Sequence, residues 1–403
     1  MPGNRPELKV AIVHYWFVGY TGGERVVSAL AEMFPQADLF GLVAKPETLP
    51  PQLRNHKLTT SFLQKIPGST RWYRHLLPLH PVALEHLDVS GYDLIISSES
   101  GPAKGVVSSA AACHICYCHS PMRYLWDMYH SYRHDMKFPT RQMFSVTAHY
   151  LRLWDLASAA RVDFFAANSL NVAARIRKHY RSDSTVIYPP VNVSAGYFSN
   201  RTEDYYLVVS RLIDYKRVDL AIDACRRLGR RLRIVGDGDQ YKQLRRTAGP
   251  TIQFLGHLDD KSLQECYANC RALLFPGEED FGIVPVEAQS YGRPVIAYGQ
   301  GGALETVIGL APGEPSSAAV SSGVFFSHQT PEDLVQAIRT FESAEDCFDP
   351  HFIRSSVQHF DASWFASSMR EFVDQCLAQH HSFNHALSGR PRRKNPLLEP
   401  AVS

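Results

Sequence analysis

The second half of the chain carries four clusters whose residue types suit a charged, hydroxyl-rich ligand. Ser210-Arg211-Leu212-Ile213-Asp214-Tyr215-Lys216-Arg217 stands where an apolar run gives way to a helical pattern. Arginine offers a planar fork matched to phosphate oxygens, and lysine a compact point charge. Taken alone, the segment also reads as a solvated basic loop. Val235-Gly236-Asp237-Gly238 leads a strand into a tight turn, where glycine lets backbone approach a ligand closely. It lacks the third glycine of a dinucleotide fingerprint and lies late in the chain. In Phe275-Pro276-Gly277-Glu278-Glu279-Asp280-Phe281-Gly282-Ile283, an acidic loop is followed by a helix start whose first amides have no intrahelical partner. Glu287 follows among Ile283, Val284, Val286 and Ala288, an apolar setting that favours a ligand role over a solvated charge. A carboxylate there can accept from vicinal hydroxyls, as of ribose or a hexose. Gly299-Gln300-Gly301-Gly302-Ala303-Leu304-Glu305 supplies adaptable backbone with an acid behind it, or a plain strand-to-helix turn.

The first half has its own candidates. Thr21-Gly22-Gly23-Glu24-Arg25 follows the first strand and opens the first helix, and a helix start favours anions. A simple turn is the alternative. Cys113-His114-Ile115-Cys116-Tyr117-Cys118-His119 has the residue types of a zinc site. An extended strand, however, turns Cys116 and Cys118 to one face and Cys113 to the other, so no metal is expected. Two stretches, 62–80 and 123–154, mix aromatic residues with Lys65, Arg71, Arg74 and Arg123. Such a mixture suits a membrane interface, nucleic-acid stacking or a packed helical insert. The first of these is our expectation, with anionic lipid as the surface met by the cations.

The elements that must position these residues follow an alternating plan. Strands are expected at residues 10–14, 38–43, 92–98, 114–119, 162–168 and 185–188. A second set is expected at 206–210, 232–235, 252–255, 272–275, 294–297 and 323–326. Many are nearly all apolar, as strands buried on both faces must be. Between them Val26, Val27, Leu30, Met33 and Phe34 form one helical stripe. Val218, Ala221, Ile222, Cys225 and Leu228 form another, closed by Gly229. This alternation predicts an α/β protein with parallel sheets covered by helices. It breaks at Pro189-Pro190 and the polar residues 191–204, which places a domain boundary there. The expected units are residues 1–195, residues 196–345, a helical segment 346–381 packing back across the domains, and a disordered tail 382–403.

Composition narrows the class. The 403 residues are 45% hydrophobic and 20% charged, which is globular rather than disordered. A net charge of +2 gives no bulk argument for nucleic acid. The chain contains no run of about 18 apolar residues, the length a spanning helix needs. The apolar run 10–13 is too short for a secretory signal, and the eight cysteines then read as reduced thiols. The expected compartment is the cytoplasm, with peripheral attachment to the inner membrane face. A nicotinamide dehydrogenase would want Gly-x-Gly-x-x-Gly after the first strand, and this chain has no such motif there.

The arrangement of Arg211 and Lys216, Gly236-Asp237-Gly238, the pair Glu279 and Glu287, and Gly301-Gly302 with Glu305 resembles retaining glycosyltransferases of family 4 (group 1). The resemblance implies the GT-B architecture of two Rossmann-like domains facing across a cleft, and a nucleotide-sugar donor. By that resemblance Arg211 and Lys216 hold the donor diphosphate in place of a metal ion, and Glu287 binds the ribose. Glu279 and the amides of Phe281, Gly282 and Ile283 meet the transferred sugar and a phosphate. Gly256, His257 and Leu258 lie by the base. Gly22, Gly23 and Gly236 pass close to the donor, and His119 sits near the reacting carbon as a positioning group. His119-Ser120-Pro121 and the following Met122-Arg123-Tyr124-Leu125-Trp126-Asp127 resemble bacterial mannosyltransferases of lipopolysaccharide and exopolysaccharide assembly. The resemblance thus favours GDP-mannose as donor and a lipid-linked or oligosaccharide acceptor. A UDP-sugar enzyme and a non-catalytic sugar-nucleotide-binding module stand as alternatives.

Overall fold

The computed structural model describes residues 8–20, 22–134, 136–310 and 315–388. Two parallel sheets organise the chain. The first holds β1 (Val10–His14), β2 (Asp38–Gly41), β3 (Leu58–Thr60), β4 (Leu94–Glu99), β5 (Cys113–Cys118), β6 (Phe164–Ala167) and β7 (Thr185–Val186), in the order 3-2-1-4-5-6-7. The second holds β8 (Tyr206–Val209), β9 (Leu232–Val235), β10 (Ile252–Gly256), β11 (Leu273–Phe275), β12 (Val295–Tyr298) and β13 (Gly323–Phe326), in the order 10-9-8-11-12-13. All the expected strands form. The unexpected one is β3, whose Leu58-Thr59-Thr60 is too short to show a period and pairs only along the edge of β2.

In each sheet the strand order reverses beside the first strand, between β1 and β4 and between β8 and β11. Such switch points open a crevice at the carboxyl ends of the strands, because the loops there leave toward opposite faces. The helix that opens with Gly22 and Gly23, and the segments carrying Arg211, Lys216 and Glu279, all follow the strands at these points.

The helices cover both faces. Val26, Val27, Leu30 and Ala31 of the helix Gly22–Met33 join Val10, Ile12, Leu94 and Ile96 in one buried cluster. In the second lobe, Val218, Ala221, Ile222 and Cys225 of Val218–Leu228 pack with Val208, Ile234 and Ile296. Gly229 ends that helix at φ 66°, the left-handed closure that glycine adopts without a Cβ clash.

After the second sheet the chain returns. Ile353 packs into the second lobe, and Phe360 sits with Val191, Val193 and Phe281 at the crossing. Phe365, Met369, Phe372, Val373 and Cys376 of the helix Ala362–Ser388 then bury themselves in the first lobe. That helix corrects the start of the expected disordered tail: it runs through residue 382 to Ser388. Residues 389–403 lie outside those described.

Candidate active site

A cleft of about 730 Å³ separates the lobes. The first lobe contributes Tyr15, Gly22, Gly23, His119 and Arg123, and the second Arg211, Lys216, Gly236, His257, Leu258, Glu279, Phe281, Gly282 and Ile283. The lobes touch at its base, where a Cβ on Gly22 would stand 3.0 Å from Cδ1 of Ile283.

Close backbone packing assembles the second-lobe wall. A Cβ on Gly277 would lie 2.9 Å from Lys216 Cα and 3.0 Å from Lys216 O, so glycine allows the acidic loop to press on the basic one. This juxtaposition brings the Lys216 ammonium onto the Glu279 carboxylate as an ion pair. The Gly302 amide donates to Glu279 O at 2.8 Å and holds the loop from behind. At Gly236, φ is 124° and a Cβ would meet Ser210 O at 2.0 Å, which locks the two strand-end turns together. The Gly236 amide donates to Gly256 O at 2.7 Å. Gly256 therefore supports the turn from outside the cleft lining, while His257 and Leu258 reach the cleft.

Arg211 borders the cleft with its guanidinium in no ion pair or side-chain hydrogen bond among the described residues. Lys216 is nearby with its charge placed on Glu279. The two cations thus differ: one fork awaits an anion, and one ammonium must be shared with it. Gly282, at φ 93°, precedes the helix Ile283–Ser290, whose first-turn amides have no intrahelical partner.

Glu287 is the residue expected at the ribose. It lies one turn beyond the cleft lining, with both oxygens engaged. Arg25 Nη1 donates to Oε1 at 2.7 Å and the Tyr267 hydroxyl to Oε2 at 2.8 Å. Burial acts to lower the Arg25 pKa, but the charge and hydrogen bond of Glu287, together with Tyr267 and Tyr20, raise it overall.

His119 Nε2 lies 2.8 Å from Ser98 Oγ, and Ser98 O lies 3.2 Å from Nδ1 of the buried His14. His14 Nε2 is in turn 3.8 Å from Glu24 Oε1. Burial, reinforced by His14, pushes the His119 pKa down to about 3. The imidazole is neutral at physiological pH and a very weak base, which suits positioning rather than proton abstraction.

Arg123, expected with Lys65, Arg71 and Arg74 on the acceptor or membrane side, lines the cleft and donates from Nη1 to Glu278 O at 3.2 Å. Its guanidinium lies 5.5 Å from the Tyr215 ring centroid. The pull of Glu278 and Asp280, the latter 3.8 Å away, accounts for the inward turn. Lys65, Arg71 and Arg74 are exposed and outside the cleft lining.

Several functional contacts were invisible in the sequence. Arg175 pairs with Asp127 and Asp280, and donates to Ser120 Oγ at 3.0 Å, fastening the lobes together. The Glu305 carboxylate accepts from the amides of Leu170 and Asn171 at 2.7 and 2.9 Å, again across lobes. Behind the site, fully buried Lys104 pairs with Glu99 at 3.3 Å and with Asp155. The Asp155 carboxylate also accepts from Trp126 Nε1 at 2.8 Å and from the Tyr180 hydroxyl. Arg25, Glu305, Asp280, Ser120, Trp126 and Asp127 stood inside quoted segments, but their partners did not show there.

The strand cysteines divide by face: Cys116 and Cys118 share one buried cluster and Cys113 joins another. Cys113, Asp163 and His380 do bring ligand-type atoms within 4.8 Å of one another, at the opposite end of β5 from His119.

Comparison with known proteins gives this geometry its context. The family model for Glycosyltransferase Family 4 matches residues 20–195, and that for Glycosyl transferases group 1 matches residues 194–350. Human alpha-1,3/1,6-mannosyltransferase ALG2 is 27% identical over 183 residues, covering 36% of this chain and 44% of the relative. The O-antigen chain mannosyltransferase C of Escherichia coli is 28% identical over 157 residues, covering 34% and 42%. The match thus spans less than half the length of these curated relatives. The crystal structure of Anabaena HepE in complex with UDP and glucose aligns with a TM-score of 0.66 at 18% identity. It covers 91% of this chain and 100% of that one, and shows a shared GT-B fold. The two matched segments meet at the lobe boundary and run without a gap from residue 20 to residue 350, and the chain belongs to the glycosyl transferases of group 1, glycosyltransferase family 4.

Proposed function

We propose that this chain transfers a hexose from a nucleoside-diphosphate sugar to a hydroxyl of a lipid-linked or oligosaccharide acceptor, with retention at the anomeric carbon. The observation that carries the reading is the interlobe cleft in which the unpaired fork of Arg211 stands beside the Lys216–Glu279 pair. The bond from the anomeric carbon to the phosphate oxygen breaks, and negative charge gathers on that oxygen. Arg211, Lys216 and the amides at Gly282 and Ile283 stabilise it as preorganised donors. The acceptor oxygen bonds to the same face of the sugar, and its proton passes to the departing phosphate. Glu279, released from Lys216 as the diphosphate arrives, turns its carboxylate to the sugar hydroxyls. His119 positions the sugar in its neutral form.

In this reading the fixed cations meet the diphosphate charge without a divalent ion, so a chelator leaves turnover intact. GDP-mannose is the donor we favour, on the similarity to ALG2 and to the O-antigen mannosyltransferase. A UDP-sugar is the second reading, favoured by the likeness to HepE with UDP. The reaction would take place at the inner face of the membrane, where a lipid-linked acceptor is reached without a spanning segment. Thermal-shift measurements with GDP, UDP and ADP, followed by transfer from the matching labelled sugar nucleotides, test this. Stabilisation by one nucleotide and transfer from its sugar are expected. Binding without transfer to any glycan acceptor would leave only a sugar-nucleotide-binding module.

A further inference from the structure

Three groups able to bind a metal meet at the end of the first sheet away from the cleft. Cys113 opens β5, Asp163 immediately precedes β6, and His380 stands on the helix Ala362–Ser388 that returns to the first lobe. A sulfur, a carboxylate oxygen and a ring nitrogen from these residues lie within 4.8 Å of one another. The backbone holds each of them. The Asp163 amide donates to His114 O at 3.0 Å, and the His114 amide donates to Asp163 Oδ2 at 2.8 Å. The other Asp163 oxygen has no partner among the described residues. His380 Nε2 lies 3.2 Å from Ala111 O. Backbone contacts of this kind orient metal ligands from behind.

The packing of the helix gives a second argument. Phe365, Met369, Phe372, Val373 and Cys376 recur every three or four residues and share one buried cluster with Cys113. His380 follows Cys376 by one turn on the same face. Residues 377–382 are half-buried or exposed. Apolar anchoring of the helix therefore ends where the three groups converge. This is no ordinary acidic surface either: Asp163 is exposed, but Cys113 is fully buried and His380 half-buried.

We propose that Cys113, Asp163 and His380 form a zinc site that pins the C-terminal helix to the first lobe. Sulfur, imidazole and a single carboxylate suit zinc, whereas magnesium and calcium take oxygen shells. Zinc bonds of about 2.0–2.3 Å put tetrahedral ligands about 3.5 Å apart, so the three groups close by about 1 Å on the ion. Water takes the fourth position, beside the exposed Asp163. On binding, the Cys113 thiol gives its proton to solvent and the thiolate bonds to zinc. Only Cys113 of the cysteine-rich strand takes part, since Cys116 and Cys118 lie in a different buried cluster. None of the three ligands lines the cleft. The ion supplies no charge to the diphosphate, and the inference stands apart from the transferase reading.

The test uses tag-free full-length protein, stripped with EDTA and then loaded with zinc or cobalt. One zinc per chain by atomic emission is expected, with Tm raised by about 5 °C at a hundredfold excess of free zinc over Kd. Cobalt should give the visible bands of a tetrahedral site and a sulfur-to-metal charge-transfer band, the latter lost in Cys113→Ala. Asp163→Asn keeps an oxygen for the His114 amide. It and His380→Ala should each weaken zinc binding by about tenfold or more. Neither residue is buried, so these two variants decide the matter even if Cys113→Ala fails to fold. Amide exchange in residues 377–388 should slow on zinc loading in wild type and not in His380→Ala. Wild type that binds no zinc overturns the proposal, as does zinc affinity unchanged in both variants or cobalt binding without the charge-transfer band. Turnover is read alongside, below the Tm of the stripped protein. A lowered Tm with turnover spared supports a pin remote from the cleft. Transfer lost with Tm unchanged puts the ion at the cleft and overturns it.

Discussion

Arg25 of the first lobe and Glu287 of the second form an ion pair at 2.7 Å across the base of the cleft. With Tyr267 on the other oxygen, the carboxylate is fixed in orientation before any donor arrives. A carboxylate held from behind by an arginine and a phenol is preorganised to accept from ligand hydroxyls with its remaining lone pairs. Glu287→Gln should therefore raise the donor KM by about tenfold or more, the scale of a lost charge-assisted hydrogen bond. Steady-state kinetics with varied donor read this directly, and an unchanged KM contradicts the assignment.

Lys216 and Glu279 neutralise each other in the cleft wall. Lys216→Ala removes a cation from the leaving phosphate, and Glu279→Ala removes the carboxylate that turns to the sugar. Each should reduce kcat by about a hundredfold or more, comparable to deleting an oxyanion donor. Near-normal turnover in either variant would remove that residue from the mechanism.

These two pairs show where sequence reading succeeds and where it stops. The sheets were legible because buried parallel strands are short apolar runs set between helical stripes, and β3 escaped because three residues carry no period. Lys216, Glu279 and the glycines stood out because unusual residue types cluster at strand ends. The partners of Glu287 and Asp280 did not, since Arg25 lies 262 residues from Glu287 and Arg175 lies 105 from Asp280. Only the fold brings them together.

The Glu99–Lys104–Asp155 group gives a stability prediction. All three side chains are fully buried. Burial raises the Glu99 pKa to about 7 even against the attraction of Lys104. Lys104→Met would leave two carboxylates buried without their cation, at a cost of about 3–5 kcal/mol. Urea unfolding followed by circular dichroism measures this, and a loss below about 1 kcal/mol would place Lys104 among ordinary surface-like pairs.

Acid should weaken the fold. Burial lowers the pKa of His80 and His114 to about 4 and that of His119 to about 3. Between those values and the ordinary histidine pKa the unfolded chain binds more protons, so stability falls as pH drops below about 6.5. Glu99, with its raised pKa, acts in the opposite sense between its ordinary value and about 7, but it is one group against three. The urea midpoint should be lower at pH 5 than at pH 7.5. An equal or higher midpoint at pH 5 would contradict these assignments.

The claim on which the rest depends is that a sugar-bearing diphosphate is met in the interlobe cleft by Arg211 and Lys216. A crystal of the protein soaked with nucleoside diphosphate tests it most directly. Phosphate oxygens within hydrogen-bonding distance of both side chains, beside the start of the helix Ile283–Ser290, are the predicted result. A nucleotide seated elsewhere, with Lys216 still on Glu279, would contradict it.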